Sequence, residues 1–557
     1  MYPNLETVRR NSDTDRISDS KLSYLEKNCS QIFIKGPALT KEILEKVNAD
    51  LVPKKTYLLG YEMKTKTVLL ITGLCLLFSL SCSATSVIWF TDAFDNYVLS
   101  QLVLTNNEDS FKMWKNPTPK VTYKLYIFNY TNVEDYKDGL AEKLHVDDVG
   151  PYTYEEKLDR ENVNIIDDER ITFQERRTYS FRPDLSAGSQ NDQVTVPNIP
   201  LISGSAVVKH NNFFTRLAYD ATLRGLDLQA FVTLPAHDFI TGYYDRLYAA
   251  SRVLSSFDDV QPPETFALLA SKIGLNPRVI TMNTGIYDYN KIGQFEKING
   301  QDILSYFETD ECNSLQSGDG AMYPPPQVQQ KKNIYFMFPE LCRRMPLVFE
   351  NETTIFNGKV PAYRYVLPED IFDSPEEKPE NQCYCNSNKK CLKGIFNTTA
   401  CNFNSPMFAS HPHFHRADPK LLEGVSGLNP EKVNPKSFMN IHPVMGFAMT
   451  ARSYLQLNIQ VQKAYGVSEM DMFEDEMMLP IAWFEVELKD ESLPQDFIEL
   501  INFVTFTVGT LKTALKFGCL LTSLMTFISL VLVMKRLSTK SGSCRQTRRP
   551  GALIEEN

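Results

Sequence analysis

His411, His413 and His415 alternate along the chain. On an extended strand, side chains two apart share a face, so three imidazoles at this spacing could meet one metal ion. The commoner outcome is a surface loop with three solvated imidazoles. The one tight cysteine pair, Cys383-Tyr384-Cys385, lacks the spacing of zinc sites. No metal is expected. For nucleophilic catalysis, Gly424-Val425-Ser426-Gly427 approaches a nucleophile elbow, but Leu428 stands where a glycine is needed. Zinc-protease, phosphate-loop and dinucleotide motifs are absent. The expectation is no catalytic residue, no cofactor and no enzyme.

The remaining reactive groups point to an oxidising, glycosylating compartment. The chain has 11 cysteines, and six crowd into residues 312–401: Cys312, Cys342, Cys383, Cys385, Cys391 and Cys401. An even, clustered set reads as disulfides whose connectivity the sequence leaves open. Asn129, Asn351 and Asn397 each begin a glycosylation sequon in the same middle region. A fourth sequon, at Asn28, falls in the N-terminal tail and should stay unused. Cys29, Cys75, Cys82, Cys519 and Cys544 lie in tails and apolar runs, where thiols stay reduced or take a lipid.

Two apolar runs position all of this. Residues 67–91 and 517–534 contain no charged residue. Either run can cross a hydrocarbon core of about 30 Å as a helix. The predicted order is a tail (1–66), a first transmembrane helix (67–91), a large domain (92–511), a second transmembrane helix (512–534) and a tail (535–557). Lys54, Lys55, Lys64 and Lys66 precede the first run, and Asp92 and Asp95 follow it. Lys535, Arg536, Lys540, Arg545, Arg548 and Arg549 follow the second. The positive-inside rule puts both tails in the cytoplasm and the domain outside or in a lumen. Lys512 and Lys516 can snorkel to headgroups. A cleaved signal peptide fits poorly, because 66 residues is too long for its basic leader.

Charge divides the same way. The tails carry +3 and +4, and residues 67–534 carry −17. A net acidic outer domain gives no long-range attraction for polyanions, so nucleic acid is not an expected partner. Residues 1–66 are polar and mixed in charge, which predicts disorder. Val121–Asn129 reads as a strand. Leu455, Leu457, Ile459 and Val461 alternate with Gln456, Asn458 and Gln460, and Phe484, Val486 and Leu488 with Glu485 and Glu487. Both read as half-buried antiparallel strands. In residues 205–275, apolar residues recur at helical spacing around Phe213, Leu217, Leu247, Phe266, Leu269 and Ile273, predicting a cluster of short helices.

Several local strings, in order between the two spans, carry a resemblance. They are Trp114-Lys115-Asn116-Pro117, Tyr126-Ile127-Phe128-Asn129, Gly150-Pro151-Tyr152-Thr153-Tyr154 and Val360-Pro361-Ala362-Tyr363-Arg364-Tyr365. Cys383-Tyr384-Cys385, Pro412-His413-Phe414, Gly427-Leu428-Asn429-Pro430 and Leu479-Pro480-Ile481-Ala482-Trp483 follow. With the cysteine cluster and topology, residues 65–535 resemble the class B scavenger receptors.

The resemblance implies an α+β fold: an antiparallel β-barrel-like ectodomain with many short helices and an apical three-helix bundle. Residues 205–275 fall at the bundle. It further implies a hydrophobic tunnel toward the bilayer and the pairing Cys312–Cys383, Cys342–Cys401 and Cys385–Cys391. Lipids or lipoproteins are the implied cargo, docking near Phe213, Phe214, Leu217 and Arg224. In the family's fatty acid translocase the bundle carries lysines; here only Arg224 is available, between Asp220 and Asp227. In its lysosomal member a bundle histidine aids release of a hydrolase, where this chain has Asn212. The plasma membrane is the expected location. An endosomal or lysosomal receptor for protein cargo is the alternative, with Leu553-Ile554 as a dileucine-like signal and Tyr2-Pro3-Asn4-Leu5 as a tyrosine-type one. The sequence gives no reading of oligomeric state.

Overall fold

The computed structural model describes residues 55–58, 61–105, 109–255, 263–385 and 391–545. Asn28, both tail signals and most of the tail expected to be disordered lie outside the described residues. The chain divides into two compact units, Met1–Thr91 with Ala514–Asn557, and Asp92–Thr513. The helices of interest are α1 (Thr65–Phe90), α2 (Ala93–Ser100), α3 (Ile199–Val208), α4 (Phe213–Gly225), α5 (Arg246–Ser255), α6 (Gln495–Asn502) and α7 (Gly509–Arg545). The central strands are β1 (Val121–Tyr130), β2 (Leu144–Ile166), β3 (Arg170–Phe181), β4 (Ala448–Gln460) and β5 (Met478–Leu488).

Two helical runs, α1 and Gln495–Thr539, are long and apolar enough to cross a membrane; α1 and the part of α7 from Ala514 belong to the first unit. They touch along small and aromatic residues. Ser523 Oγ donates to Ser81 Oγ at 3.0 Å, and the Phe78 and Phe527 rings lie 5.9 Å apart. Trp89 Nε1 donates to the Lys516 carbonyl at 3.2 Å, and the Lys516 ammonium sits 4.1 Å from the Trp89 ring centre. Small hydroxyl residues permit such close approach in lipid. The 37-residue α7 outruns the expected span of 512–534 at both ends. Hydropathy marks only its apolar window, whereas at ~1.5 Å per residue the helix is about 55 Å long.

In the second unit one long antiparallel path runs from Phe295–Ile298 through Ile280–Asn283, β3, β2, β1, β5, β4, Phe438–Ile441, Val360–Val366 and Arg343–Ile355 to Ile334–Phe338. Ser317 and Gly318 bridge its two ends. Phe295 N–H donates to the Ser317 carbonyl at 2.8 Å. Gly318 N–H donates to the Tyr335 carbonyl at 3.0 Å, and its carbonyl accepts from Met337 N–H at 2.9 Å.

Two sequence expectations change here. Gln456 and Asn458 in β4 are fully buried, and Glu485 and Glu487 in β5 are largely buried. These strands lie in mid-sheet with both faces covered, so alternation does not sort polar residues to water. Gln456 Nε2 donates to Asn458 Oδ1 at 2.7 Å, and Asn458 Nδ2 donates to Ser410 Oγ at 3.0 Å. Lys124 reaches both glutamates at 3.1 Å. The stretch 205–275 is also not purely helical. Phe231–Pro235, rich in β-forming residues, pairs with Gln193–Pro197 between α4 and α5. Residues 263–275 are turns and a short strand, and Phe266 forms a bridge with Tyr243.

Candidate functional site

Helices α3 and α4 start from local capping. Asn198 accepts from Leu201 N–H to start α3, and Asn212 accepts from Thr215 N–H at 2.9 Å to start α4. On α4 the apolar side chains expected at a docking surface point outward: Phe213, Phe214 and Leu217 are 57%, 78% and 48% exposed. Leu223 is buried instead, fastening the helix to the core. Arg224 lies at the far end, exposed, with its Nε 2.8 Å from Asp220. Asp220 also accepts from Ser468 N–H and Oγ at 2.8 Å. Burial raises the Asp220 carboxyl, but the Ser468 and Arg224 bonds outweigh it and hold it below the usual range. Arg224 is therefore partly engaged in holding α4 down, while Arg216, between Phe214 and Leu217, donates to the Asn211 carbonyl at 3.1 Å.

Deeper, the core face of two strands turns from apolar to charged and back. Alternate residues of β3 read Ile171, Phe173, Glu175, Arg177, Tyr179 and Phe181, opposite Arg160, Leu158, Glu156 and Tyr154 of β2. Tyr154 belongs to an apolar cluster with Leu125 and Leu223, and Phe181 packs against it. Ile171 and Phe173 belong to another cluster with Trp114, Phe497 and Val504. Between the clusters lies a charged belt. Arg177 Nη2 is 2.9 Å from Glu175, Tyr179 donates to Glu156 at 2.5 Å, and Arg160 Nη2 is 2.5 Å from Asp319. Gly274 pairs with Arg177, which brings in Lys272, 2.9 Å from Glu340. Burial works to raise the Glu340 carboxyl, yet Lys272, Arg177 and Arg278 pull it down to about 2. Sequence reasoning passed over this belt, because charged residues at alternate strand positions look like a solvated face.

The three alternating histidines form no metal site and do not sit on one strand face. They fall on a turn around Pro412–Phe414, and His411 and His413 are buried rather than solvated. Among the described residues no cluster of His, Cys, Asp and Glu could hold a metal ion. His411 Nε2 donates to the Glu369 carbonyl at 3.1 Å. His413 Nδ1 accepts from Asn429 N–H at 3.3 Å, so its Nε2 carries the proton and donates to Asp148 at 3.0 Å. Ser426 Oγ lies 3.0 Å from His145 Nδ1, but it also donates to the Leu144 carbonyl, and Asp147 is 3.7 Å from the other ring nitrogen. Both His145 and Asp147 face solvent. Gly427, at φ +90°, brings its backbone against β2, where a Cβ would meet the Val146 carbonyl at 2.0 Å.

A cavity of about 200 Å³ opens where the chain of the second unit begins and ends. Phe94, Val98 and Leu99 of α2 form one wall, Pro443 and Val444 a second, and Val504 and Val508 a third. The last wall is a π-helical turn, Phe503–Val508, between α6 and α7. His442 fixes it: Nδ1 accepts from Val444 and Met445 N–H at 3.2 and 3.1 Å, and Nε2 donates to Thr505 Oγ1 at 2.9 Å. Lys512, on the rim, pairs with Asp95 at 2.6 Å.

The disulfides in the structure are Cys312–Cys383, Cys342–Cys401 and Cys385–Cys391. Asn351 and Asn397 are exposed. Asn129 is half-buried, and its Oδ1 accepts from Thr195 N–H at 2.8 Å.

The family model of the CD36 family matches residues 71–534. The chain belongs to the CD36 family. Among its relatives, scavenger receptor class B member 1 of Bos taurus is 31% identical over 432 residues, 76% of this chain and 83% of the relative. The Sus scrofa protein of that name is 28% identical over 467 residues, 83% and 89% of the two chains. Lysosome membrane protein 2 of Homo sapiens is 28% identical over 379 residues, 67% and 76%. In this CD36-family fold, strings far apart in sequence converge on Asp148. His413 and Trp483 each donate to it, at 3.0 and 3.1 Å, and Asn429 donates to His413. Tyr126 stacks on Trp483 at 3.8 Å, and Phe128 meets His413 edge-on at 5.2 Å.

Proposed function

We propose that this chain is a membrane receptor whose cargo docks on α4 and whose ectodomain passes lipid through its interior to the outer leaflet. The observation that carries the reading is the cavity of about 200 Å³ walled by α2 and the π-helical turn. Its walls are the segments that join both membrane-crossing helices, where a lipid leaving the protein would enter the bilayer. A further feature supports a conduit. The bridge at Ser317 and Gly318 joins the two ends of the sheet path in a barrel-like way. Each CH2 hidden in such an interior gains about 0.8 kcal/mol over water.

Exposed Phe213, Phe214 and Leu217 supply the docking face, with Arg224 beside them. Both tails lie in the cytoplasm in this reading, following the basic flanks of the two spans. Lipid extracted from the purified full-length protein tests it, together with a bulky block, Val504→Trp, in the exit cavity. The block is expected to stop lipid uptake while cargo still docks. Normal lipid delivery by that variant overturns the conduit. The relatives named for the lysosome membrane favour a second reading, an endolysosomal receptor for protein cargo, with the same α4 face as the docking surface. Steady-state location of the tagged full chain separates the two.

A further inference from the structure

The cavity walled by α2 and the π-helical turn is too small to enclose a whole lipid. At about 200 Å³ it falls below the ~300–1,000 Å³ of sites that surround a drug-sized ligand. It takes part of a molecule whose remainder lies elsewhere. Sequence sets the level at which it opens. Lys512, on its rim, precedes the uncharged run that starts at Phe517 by five residues of the unbroken helix α7, a rise of about 7–8 Å. Asp95, also on the rim, follows the uncharged run 67–91 by four residues. The headgroup layer is about 5–7 Å deep on each side of the hydrocarbon core. An apolar notch with a charged rim thus opens at headgroup depth.

The rim presents one charge of each sign. Lys512 Nζ donates to both Asp95 oxygens, at 2.6 and 2.8 Å, and both side chains keep open surface. An ammonium has three donors, so one remains beyond these two. Phe94, part of the wall, has its ring centre 5.9 Å from Lys512 Nζ, within cation–π range of a cation placed here. Headgroups meet this rim differently. A phosphate with no cation of its own gains Lys512 but faces Asp95. A hydroxyl gains no charge pairing. A phosphocholine head carries both signs: its phosphate can meet Lys512 while its quaternary ammonium meets Asp95 and the face of Phe94, and the site stays neutral.

We propose that the cavity is a seat for one outer-leaflet phosphatidylcholine, held by its head at Phe94, Asp95 and Lys512 with its chains in the bilayer, as a resident lipid rather than cargo. The seat rests on the two-span topology and needs no passage of lipid.

Dioleoyl phosphatidylcholine and dioleoyl phosphatidylglycerol share their chains, so competition between them isolates the head. Full-length protein is equilibrated in nanodiscs holding both in equal amounts and moved to mild detergent, and retained lipid is counted by native mass spectrometry. The wild type is expected to keep one phosphatidylcholine, in excess over phosphatidylglycerol by about fivefold, the upper scale of one partly exposed ion pair. Asp95→Asn leaves Lys512 unbalanced and should bring phosphatidylglycerol to parity or above. Lys512→Gln should reduce retention of both. Phe94→Leu keeps an apolar wall and should lower phosphatidylcholine alone. Native disulfides and unfolding temperature check each variant. Equal retention of the two lipids by the wild type, or a ratio unmoved by Asp95→Asn, means a nonselective lipid shell only and overturns the seat while the conduit stands. A wild type that keeps phosphatidylcholine selectively but takes up no lipid overturns the conduit and leaves the seat. Should Asp95→Asn misfold, undiminished retention in Lys512→Gln overturns the seat by itself.

Discussion

His413 and Asp148 are 265 residues apart in sequence and 3.0 Å apart in the fold. Neither is exposed, and neither hydrogen bond of the imidazole can be replaced by water without opening the core. Burial raises the Asp148 carboxyl, but His413 and Lys432 outweigh it and hold it below the usual range. His413→Ala strands Asn429 N–H and removes one of three donors to Asp148. The expected cost is about 2–4 kcal/mol, seen as a lowered unfolding temperature and less protein leaving the endoplasmic reticulum. A variant with wild-type unfolding and delivery would show that the network carries no stability.

Acid sensitivity should come from two other histidines. Burial holds His411 and His442 down to about 4 each. The free side chain titrates near about 6.5. Above that pH neither folded nor unfolded chain binds these protons. Below it the unfolded chain binds them first, so stability falls as pH drops and levels off near the folded value. Each histidine should cost about 3 kcal/mol across that window. Asp148 acts at lower pH: its contribution is present above its unfolded value and lost as pH falls through its lowered folded one. Unfolding temperatures measured between neutral pH and pH about 4 check this, with His442→Asn expected to flatten the slope. An unchanged slope would remove His442 from the account.

Much of this architecture was legible in the sequence because it depends on near neighbours. An uncharged run such as 67–91 needs no partner to be read as a span, and β1 and β5 show their period locally. What was not legible depends on partners far away. Glu485 and Glu487 read as solvent-facing because Lys124, which with Arg452 pairs with both, lies 361 and 363 residues away. His413 read as solvated because its acceptor, Asp148, lies 265 residues away. The belt was missed for the same reason: Glu175 and Arg177 mark a charged strand face, and the β2 residues opposite it and the Lys272–Glu340 pair come from other segments of the chain.

Covalent chemistry gives a compact check. Peptide mapping without reduction should find Cys312 with Cys383, Cys342 with Cys401 and Cys385 with Cys391, and no free thiol among the six. Glycans are expected in full on Asn351 and Asn397. Occupancy at Asn129 is expected to be lower, because its amide is half-buried and already bonded to Thr195 N–H. Asn28 should carry none, and tail antibodies should stain only permeabilised cells. An N-terminal tag visible on intact cells would overturn the two-span topology.

The α4 face is where docking and folding can be pulled apart. Phe213, Phe214 and Leu217 point to solvent, so changing all three to Ser removes little buried area and should alter stability by less than about 1 kcal/mol. Cargo binding should fall by roughly tenfold or more if these residues sit at the centre of an interface. Arg224→Glu is a less clean probe than its exposure suggests. It sets a second carboxylate beside Asp220, which also holds Ser468, and should cost about 0.5–1 kcal/mol while weakening only anionic cargo. Salt titration distinguishes the effects, since an electrostatic loss fades with ionic strength and an apolar one does not. If the triple Ser variant binds cargo as the wild type does, docking lies elsewhere on the ectodomain. If it loses binding yet takes up lipid supplied directly in micelles, entry to the interior does not depend on the α4 face.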